Sequence, residues 1–244
     1  AGIVCLISII RSRYGSASWR PELRFRELKP ALSYGGRAHA ANAISYLNYR
    51  ADQFLIVSML NVQALGIYTV AVTWAEMLWL VAGNMSGVLL PRLASESNAE
   101  RGAEFTAKLA RVMLLFIVAT TICFGIVAIP VIPLLYSAEF EGAVPALLAL
   151  LPGIMAMGYT KILANYMAAI GKPEMNAKNA SIGLVINILA NLLLIPRWEI
   201  VGASVSTSLS YISISVLCYR DFVRLSESRW YAPLIAQTDD LRHV

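Results

Sequence analysis

Six apolar stretches follow one another along the chain, parted by short polar turns, at about 38–60, 65–91, 112–136, 143–170, 180–196 and 201–219. A helix needs roughly 20 mostly apolar residues to cross a bilayer. The pattern therefore predicts an all-α membrane protein, a six-transmembrane-helix bundle. Ahead of it, residues 1–10 are apolar but too short to cross alone, and read as the end of a truncated transmembrane helix. Residues 11–37 form a basic cytoplasmic connector broken by Pro21 and Pro30, with Trp19 and Phe25 placed to rest on the membrane surface. Residues 223–244 form a polar cytoplasmic tail. The start lacks the basic region and small-residue cleavage site of a signal peptide, so the chain is expected to be the C-terminal part of a longer protein.

Composition supports this reading. Hydrophobic residues make up 58% of the 244 and charged residues only 14%, and mean hydropathy is +0.62, outside the range of an ordinary soluble domain. The net charge of +5 does not point to nucleic acid, because the cations follow the turns. Of twenty Lys and Arg, seventeen fall in the connector, the 92–111 loop, the 171–178 turn and the tail; the three alternate turns hold Arg197 alone. Cytoplasmic loops are the ones enriched in Lys and Arg, so a multi-pass protein with a cytoplasmic C-terminus is expected. The turns on the other side are too short to carry chemistry of their own.

Candidate chemistry lies inside the spans. The first one holds Arg50 and Asp52, the second Glu76 and the fourth Lys161. Each would cost roughly 2.5–3.5 kcal/mol at the bilayer centre, so they are expected to pair or to face water. At helical spacing Asn42, Tyr46, Tyr49 and Gln53 share one face, with Arg50 and Asp52 flanking it. This reads as one wall of a polar cavity. Arg50 and Asp52 are open to two roles: structural pairing with Glu76 or Lys161, or contact of Arg50 with an anion. Glu76 shares a face with Thr69, Thr73, Gly83 and Gly87, either as a packing seam of GxxxG spacing or as a coupling carboxylate. Lys161 follows Pro152-Gly153, which invites a kink, and broken helices are where transporters build sites. The alternative is a lysine snorkelling to headgroups, which lie roughly 14 Å away at helical rise. Asn187 and Asn191, one turn apart, suit interhelical hydrogen bonds or cavity lining. His39 is placed at the interface.

Cys5, Cys123 and Cys218 lie in separate apolar segments without metal or redox spacing, and read as free, small hydrophobes. No P-loop, GxSxG or metal-ligand cluster is present. No enzyme activity, cofactor or metal is expected.

The run LSYGGRAHAANAISYLNYRADQFLI, then ALGIYTVA and LLPRLA, resembles the seventh and eighth helices of polysaccharide (O-antigen type) flippases, as do AAIGKPEMN, NILANLLLIP and IVGASVSTSLSY further on. These flippases belong to the multidrug/oligosaccharidyl-lipid/polysaccharide exporter superfamily. The resemblance covers about residues 31–220. It implies the second lobe of a 12-helix, two-lobe transporter in the bacterial inner (plasma) membrane. Such a protein moves polyprenyl-pyrophosphate-linked oligosaccharide to the outer leaflet by alternating access. The partners implied are the lipid-linked oligosaccharide, membrane lipid, the missing N-terminal lobe and glycan-assembly proteins. By position Arg50 is a candidate cavity cation. Lys161 matches no family motif and rests on the physical argument alone. Asn42, Tyr46, Tyr49 and Gln53 suit sugar hydroxyls. Three rival readings are a cation-coupled multidrug exporter, a membrane-embedded glycan polymerase or ligase, and a non-transporting scaffold.

Overall fold

In a computed structural model, residues 46–87, 99–226 and 233–234 are described, with the backbone alone at 79–87, 99 and 100. All lie in one compact unit, Ala41–Val244. The expected features at 1–37, His39 and Asn42, and most of the tail, fall outside the described residues.

The described residues are almost wholly helical. Helix α1 covers 46–59, α2 Val62–Gly87, α3 Ala99–Tyr136, α4 Ala143–Ala169 and α5 Pro173–Ser226. A short 3-10 turn, Ala138–Phe140, joins α3 to α4. Helix α5 is two arms in sequence. Glu199 breaks it with φ 50° and ψ −129°, and the chain reverses there. Asn179 bonds Asp221, Gly183 bonds Ser210 and Asn187 bonds Thr207. Partners that converge on residue 199 from both sides define an antiparallel hairpin.

Helix α4 is the hub, packing against α2, α3 and both arms of α5. Two apolar clusters fill the bundle. One joins Ile56, Tyr68, Ala128, Leu147 and Tyr211; the other joins Ala107, Met113, Leu163, Met167 and Phe222. The clusters sort the ends of the bundle. Gly142, in the α3–α4 turn, approaches Ile67 just past the α1–α2 turn and Ile200 just past Glu199. The three cation-poor turns therefore meet at one end. The start of α3, the Gly171-Lys172 turn and the end of α5 belong to the other.

Helices α3, α4 and α5 are long and apolar enough to cross a membrane, and Val62–Leu78 of α2 is a shorter apolar helix. Leu115, Ile122, Ile126, Leu134, Leu189, Leu193 and Val216 stand exposed along them. Helices satisfy their own backbone polar groups, which hydrocarbon demands, and apolar side chains cover the outside. This is an all-α membrane protein.

Helix bounds differ from the predicted spans where polarity misled. Helix α3 starts at Ala99, not near Val112. Its polar first turns bury Ala103, Ala107 and Ala110 at helical spacing, and the charged residues between them lengthen the helix without lengthening the apolar stretch. Helix α4 runs through Pro152. There the Ser208 hydroxyl from α5 accepts from the Gly153 N–H at 3.3 Å and lies 2.5 Å from the Ala149 carbonyl oxygen. A hydroxyl from a neighbour thus bridges the ladder where proline weakens it. Only glycine fits at 153, since a Cβ there would lie 2.5 Å from the Ser208 Cα.

Candidate functional site: a buried carboxylate and a lysine cavity

The inward face of α1 is set by Asn48, Asp52 and Ile56, one helical turn apart and exposed by 1%, 2% and 0%. Asp52 is held by three donors. The Gln53 N–H donates to its Oδ1 at 2.8 Å. The Tyr68 hydroxyl of α2 and the Thr207 hydroxyl of α5 both donate to its Oδ2, the latter at 2.9 Å. Behind Thr207, the Asn187 Nδ2 donates to the Thr207 Oγ1 at 3.2 Å, and the Asn191 Nδ2 donates to the Asn187 Oδ1 at 2.9 Å. Both asparagines are fully buried. One chain of polar groups thus ties α1, α2 and both arms of α5 around a single carboxylate. Apolar packing alone gives membrane helices little specificity, and such bonds fix their register.

Arg50 turns away from Asp52 and meets Glu76 of α2, with Nη2 3.1 Å from Oε1. Both side chains are about a third exposed, at 31% and 33%. Tyr49 packs edge-on against Tyr211 with ring centroids 6.1 Å apart. Tyr49, Asp52, Tyr68, Glu76, Thr207 and Tyr211 rim a small void of about 20 Å³.

Lys161 lines a separate cavity of about 160 Å³ with Asn48, Tyr49, Thr160, Asn176 and Asn179. Three amides on its wall are already oriented. The Asn48 Nδ2 donates to the Ala180 carbonyl at 3.2 Å, the Asn176 Nδ2 to the Ala164 carbonyl at 3.0 Å and the Asn179 Nδ2 to the Asp221 Oδ2 at 2.9 Å. The polar part of the wall is thus fixed, beside apolar Met157, Ala164 and Ile214, and the cavity is built from α1, α4 and α5.

The structure brings Tyr49, Arg50, Asp52 and Glu76 together, and joins Lys161 to them through Tyr49, which lines both spaces. It does not place Tyr46 with them, which is 62% exposed. Gln53 is half-buried beside Asp52, and its Nε2 has no hydrogen-bond partner among the described residues. Asn187 bonds across the α5 arms as expected of an interhelical contact, while Asn191 bonds within its own arm. Gly83 and Gly87 lie on α2 where the backbone alone is described. Thr69 and Thr73 face outward and bond to their own helix. The buried stripe of α2 is instead Tyr68, Ala71, Val72 and Ala75.

Sequence reasoning missed Asn48, Tyr68, Thr207 and Ser210. Asn48 was legible as the i−4 neighbour of Asp52, since a buried charge selects the face around it. The serines and threonines of the last span gave only a composition signal, because a hydroxyl in a membrane helix can always bond back to its own backbone. Ser204 and Ser206 do so; Thr207, Ser208 and Ser210 cross to other segments.

The profile of a family described as polysaccharide biosynthesis protein matches residues 2–145. That match covers more than half of the 244 residues. The chain belongs to this family. It is also similar to an amylovoran biosynthesis protein of Erwinia amylovora, 25% identical over 222 residues, 86% of this chain and 55% of that protein. A probable low-salt glycan biosynthesis flippase of Haloferax volcanii is 23% identical over 223 residues, 89% of this chain and 46% of that protein. An uncharacterized membrane protein of Methanocaldococcus jannaschii is 24% identical over 188 residues, 75% of this chain and 37% of that protein. The chain thus spans about half or less of the length of these curated relatives.

Proposed function

We propose that this chain is one lobe of a membrane flippase, a transporter rather than a catalyst. The flippase moves polyprenyl-pyrophosphate-linked oligosaccharide across the membrane for surface polysaccharide synthesis. The observation that carries this reading is the Lys161 cavity. An ammonium group stands beside fixed amides and hydroxyls inside the bundle. A charge at such depth is costly unless it serves a partner or a pathway. A pyrophosphate headgroup is anionic and cannot enter hydrocarbon unaided, whereas the polyprenyl tail stays in the lipid. The cavity is smaller than the 300–1,000 Å³ of usual ligand sites, so it takes part of a headgroup, with the rest of the binding surface coming from a second lobe.

Tyr49, on the wall of both spaces, and Gln53, half-buried beside Asp52, are the groups of α1 suited to sugar hydroxyls. Arg50 serves as a second cation once Glu76 releases it. In this account the cation-rich end of the bundle faces the cytoplasm, and with it the C-terminus, in a bacterial inner membrane. The name of the Haloferax volcanii relative supports a flippase. A cation-coupled exporter of small molecules is the second reading, favoured by the carboxylates and tyrosines that rim the small void.

The test is export. In cells that depend on the full-length protein, Lys161→Ala at normal protein level is expected to reduce surface glycan at least ten-fold, with lipid-linked precursor building up inside. Unchanged export in both Lys161→Ala and Arg50→Ala would contradict the assignment.

A further inference from the structure

We propose that the apolar segment centred on Pro233 is a latch on the cation-rich half of the bundle, and that its release opens the Lys161 cavity. The sequence supplies the first reason. The polar stretch that follows α5 holds an apolar island, Trp230 to Ala236 (WYAPLIA), between RLSESR and QTDDLRHV. Such a run is out of place on a solvated tail unless it meets something. The structure shows where its centre goes. Pro233 is buried, while Leu234 beside it is 41% exposed. The Tyr159 hydroxyl of α4 donates to the Pro233 carbonyl at 3.2 Å. Tyr159 is itself buried. It stands ten residues before α4 ends at Ala169, roughly 15 Å inward at helical rise. Helix α5 ends at Ser226, so the chain comes back into the bundle to meet Tyr159.

The chemistry of the contact suits an apolar setting. Backbone groups taken out of water need partners. Proline brings no N–H, and its carbonyl is satisfied by Tyr159. The Tyr219 hydroxyl, from the second arm of α5, lies near the Tyr159 hydroxyl. It is buried and has no partner among the described residues, so the seat has a further donor to offer. Arg111 of α3, also buried, lies near Tyr159 as well. Pro233 therefore sits where α3, α4 and the second arm of α5 come together.

This seat and the Lys161 cavity share one seam. Tyr159, Thr160 and Lys161 are consecutive on α4, and the last two line the cavity. Cys218 of α5 lines it too, with Sγ 3.9 Å from the Thr160 carbonyl oxygen. A thiol is a weak donor, so this contact resists parting little. The Tyr166 and Phe222 rings, with centroids 5.0 Å apart, continue the seam toward the cation-rich end. Farther along, Ser208 ties the same pair of helices with hydrogen bonds to Gly153 and Ala149. A latch at Tyr159 clamps the seam directly beside the cavity. When it lets go, α4 and the second arm of α5 can part there, and the cavity between them opens.

This inference does not depend on what the cavity holds. It is tested on the purified full-length protein in nanodiscs by the rate at which N-ethylmaleimide alkylates Cys218, read by mass spectrometry of the peptide that carries it. Cys218 is 1% exposed, so slow reaction is expected in the wild type. Deletion from residue 227 onward and Pro233→Gln are each expected to speed it at least five-fold, and Tyr159→Phe at least two-fold. Leu234→Gln, at the exposed neighbour, is expected to leave the rate unchanged. Cys123, exposed on α3, is expected to keep its wild-type rate in every variant. A Cys218 rate unchanged by the deletion would overturn the proposal, as would equal effects of Pro233→Gln and Leu234→Gln. A matching rise at Cys123 would overturn it too, since that marks a loosened fold and not a released latch. Elution profile and Tm identify a variant that fails to fold. If the deletion is one, Tyr159→Phe with the tail intact carries the test, and an unchanged Cys218 rate there overturns the proposal.

Discussion

At the scale of single residues, the decisive contrast is between two acidic groups on neighbouring helices. Glu76 is a third exposed and meets a guanidinium; Asp52 is buried and meets hydroxyls and an amide. Breaking them should have different consequences. The Arg50–Glu76 pair is partly open to its surroundings, and such pairs contribute about 0.2–1 kcal/mol. A double-mutant cycle with Arg50→Gln and Glu76→Gln is expected to return a coupling energy in that range from thermal unfolding. A coupling well above it would mean the pair is buried more deeply than described. Asn187→Ala removes a link from the buried chain and leaves Thr207 without its donor, which is expected to cost about 1–3 kcal/mol, seen as a fall in Tm with the helical signal retained. What the sequence revealed at this scale follows burial. Charges in an apolar span announce themselves, so Arg50, Asp52, Glu76 and Lys161 were legible. Their partners were not, because Tyr68 and Thr207 are ordinary residues in a membrane helix until a carboxylate stands opposite. The buried stripe of α1 is not the polar face read from the sequence. That face runs through Asn42, Tyr46, Tyr49 and Gln53, whereas the residue that most needs burial is Asp52, and it brings Asn48 and Ile56 inward with it.

At the scale of elements, two local devices hold the bundle in shape. The turn of the α5 hairpin places a non-glycine residue, Glu199, at φ 50°, a conformation that costs about 1–3 kcal/mol for a residue with a Cβ. Glu199→Gly is expected to relieve this and raise Tm by a few degrees; no change or a fall would show that the Glu199 side chain contributes more than its strain costs. The second device is the Pro152-Gly153 step with Ser208 against it. Gly153→Ala forces a Cβ onto the Ser208 backbone, and overpacking of this kind costs typically 1–3 kcal/mol. A lower Tm is expected; an unchanged Tm would show that the second arm of α5 shifts at Ser208 without cost. The helices themselves were readable from hydropathy wherever they are apolar. The first turns of α3 were not, since their buried stripe is alanine and their other faces are charged, which a hydropathy window averages into a loop.

At the scale of the whole molecule, the fold gathers the three cation-poor turns at one end of an all-α membrane bundle and the cation-rich ends at the other, a division that charge counting along the sequence anticipated. The side of the membrane each end faces is open to direct measurement. In a full-length protein with Cys5, Cys123 and Cys218 replaced, a cysteine at Lys172 is expected to react only from the cytoplasm and one at Glu139 only from outside; the reverse pattern would overturn the orientation. The chain spans about half or less of the length of the curated relatives it matches, and under the proposed function the account depends on what its inner surface meets in a second lobe. The most direct measurement is mass spectrometry of lipid retained by the full-length protein, wild type beside Lys161→Ala. The account predicts a polyprenyl-pyrophosphate glycan that co-purifies with the wild type and is lost from the variant. The same lipid retained equally by both would contradict the placement of Lys161 at the headgroup, and phospholipid alone in both would contradict the flippase reading.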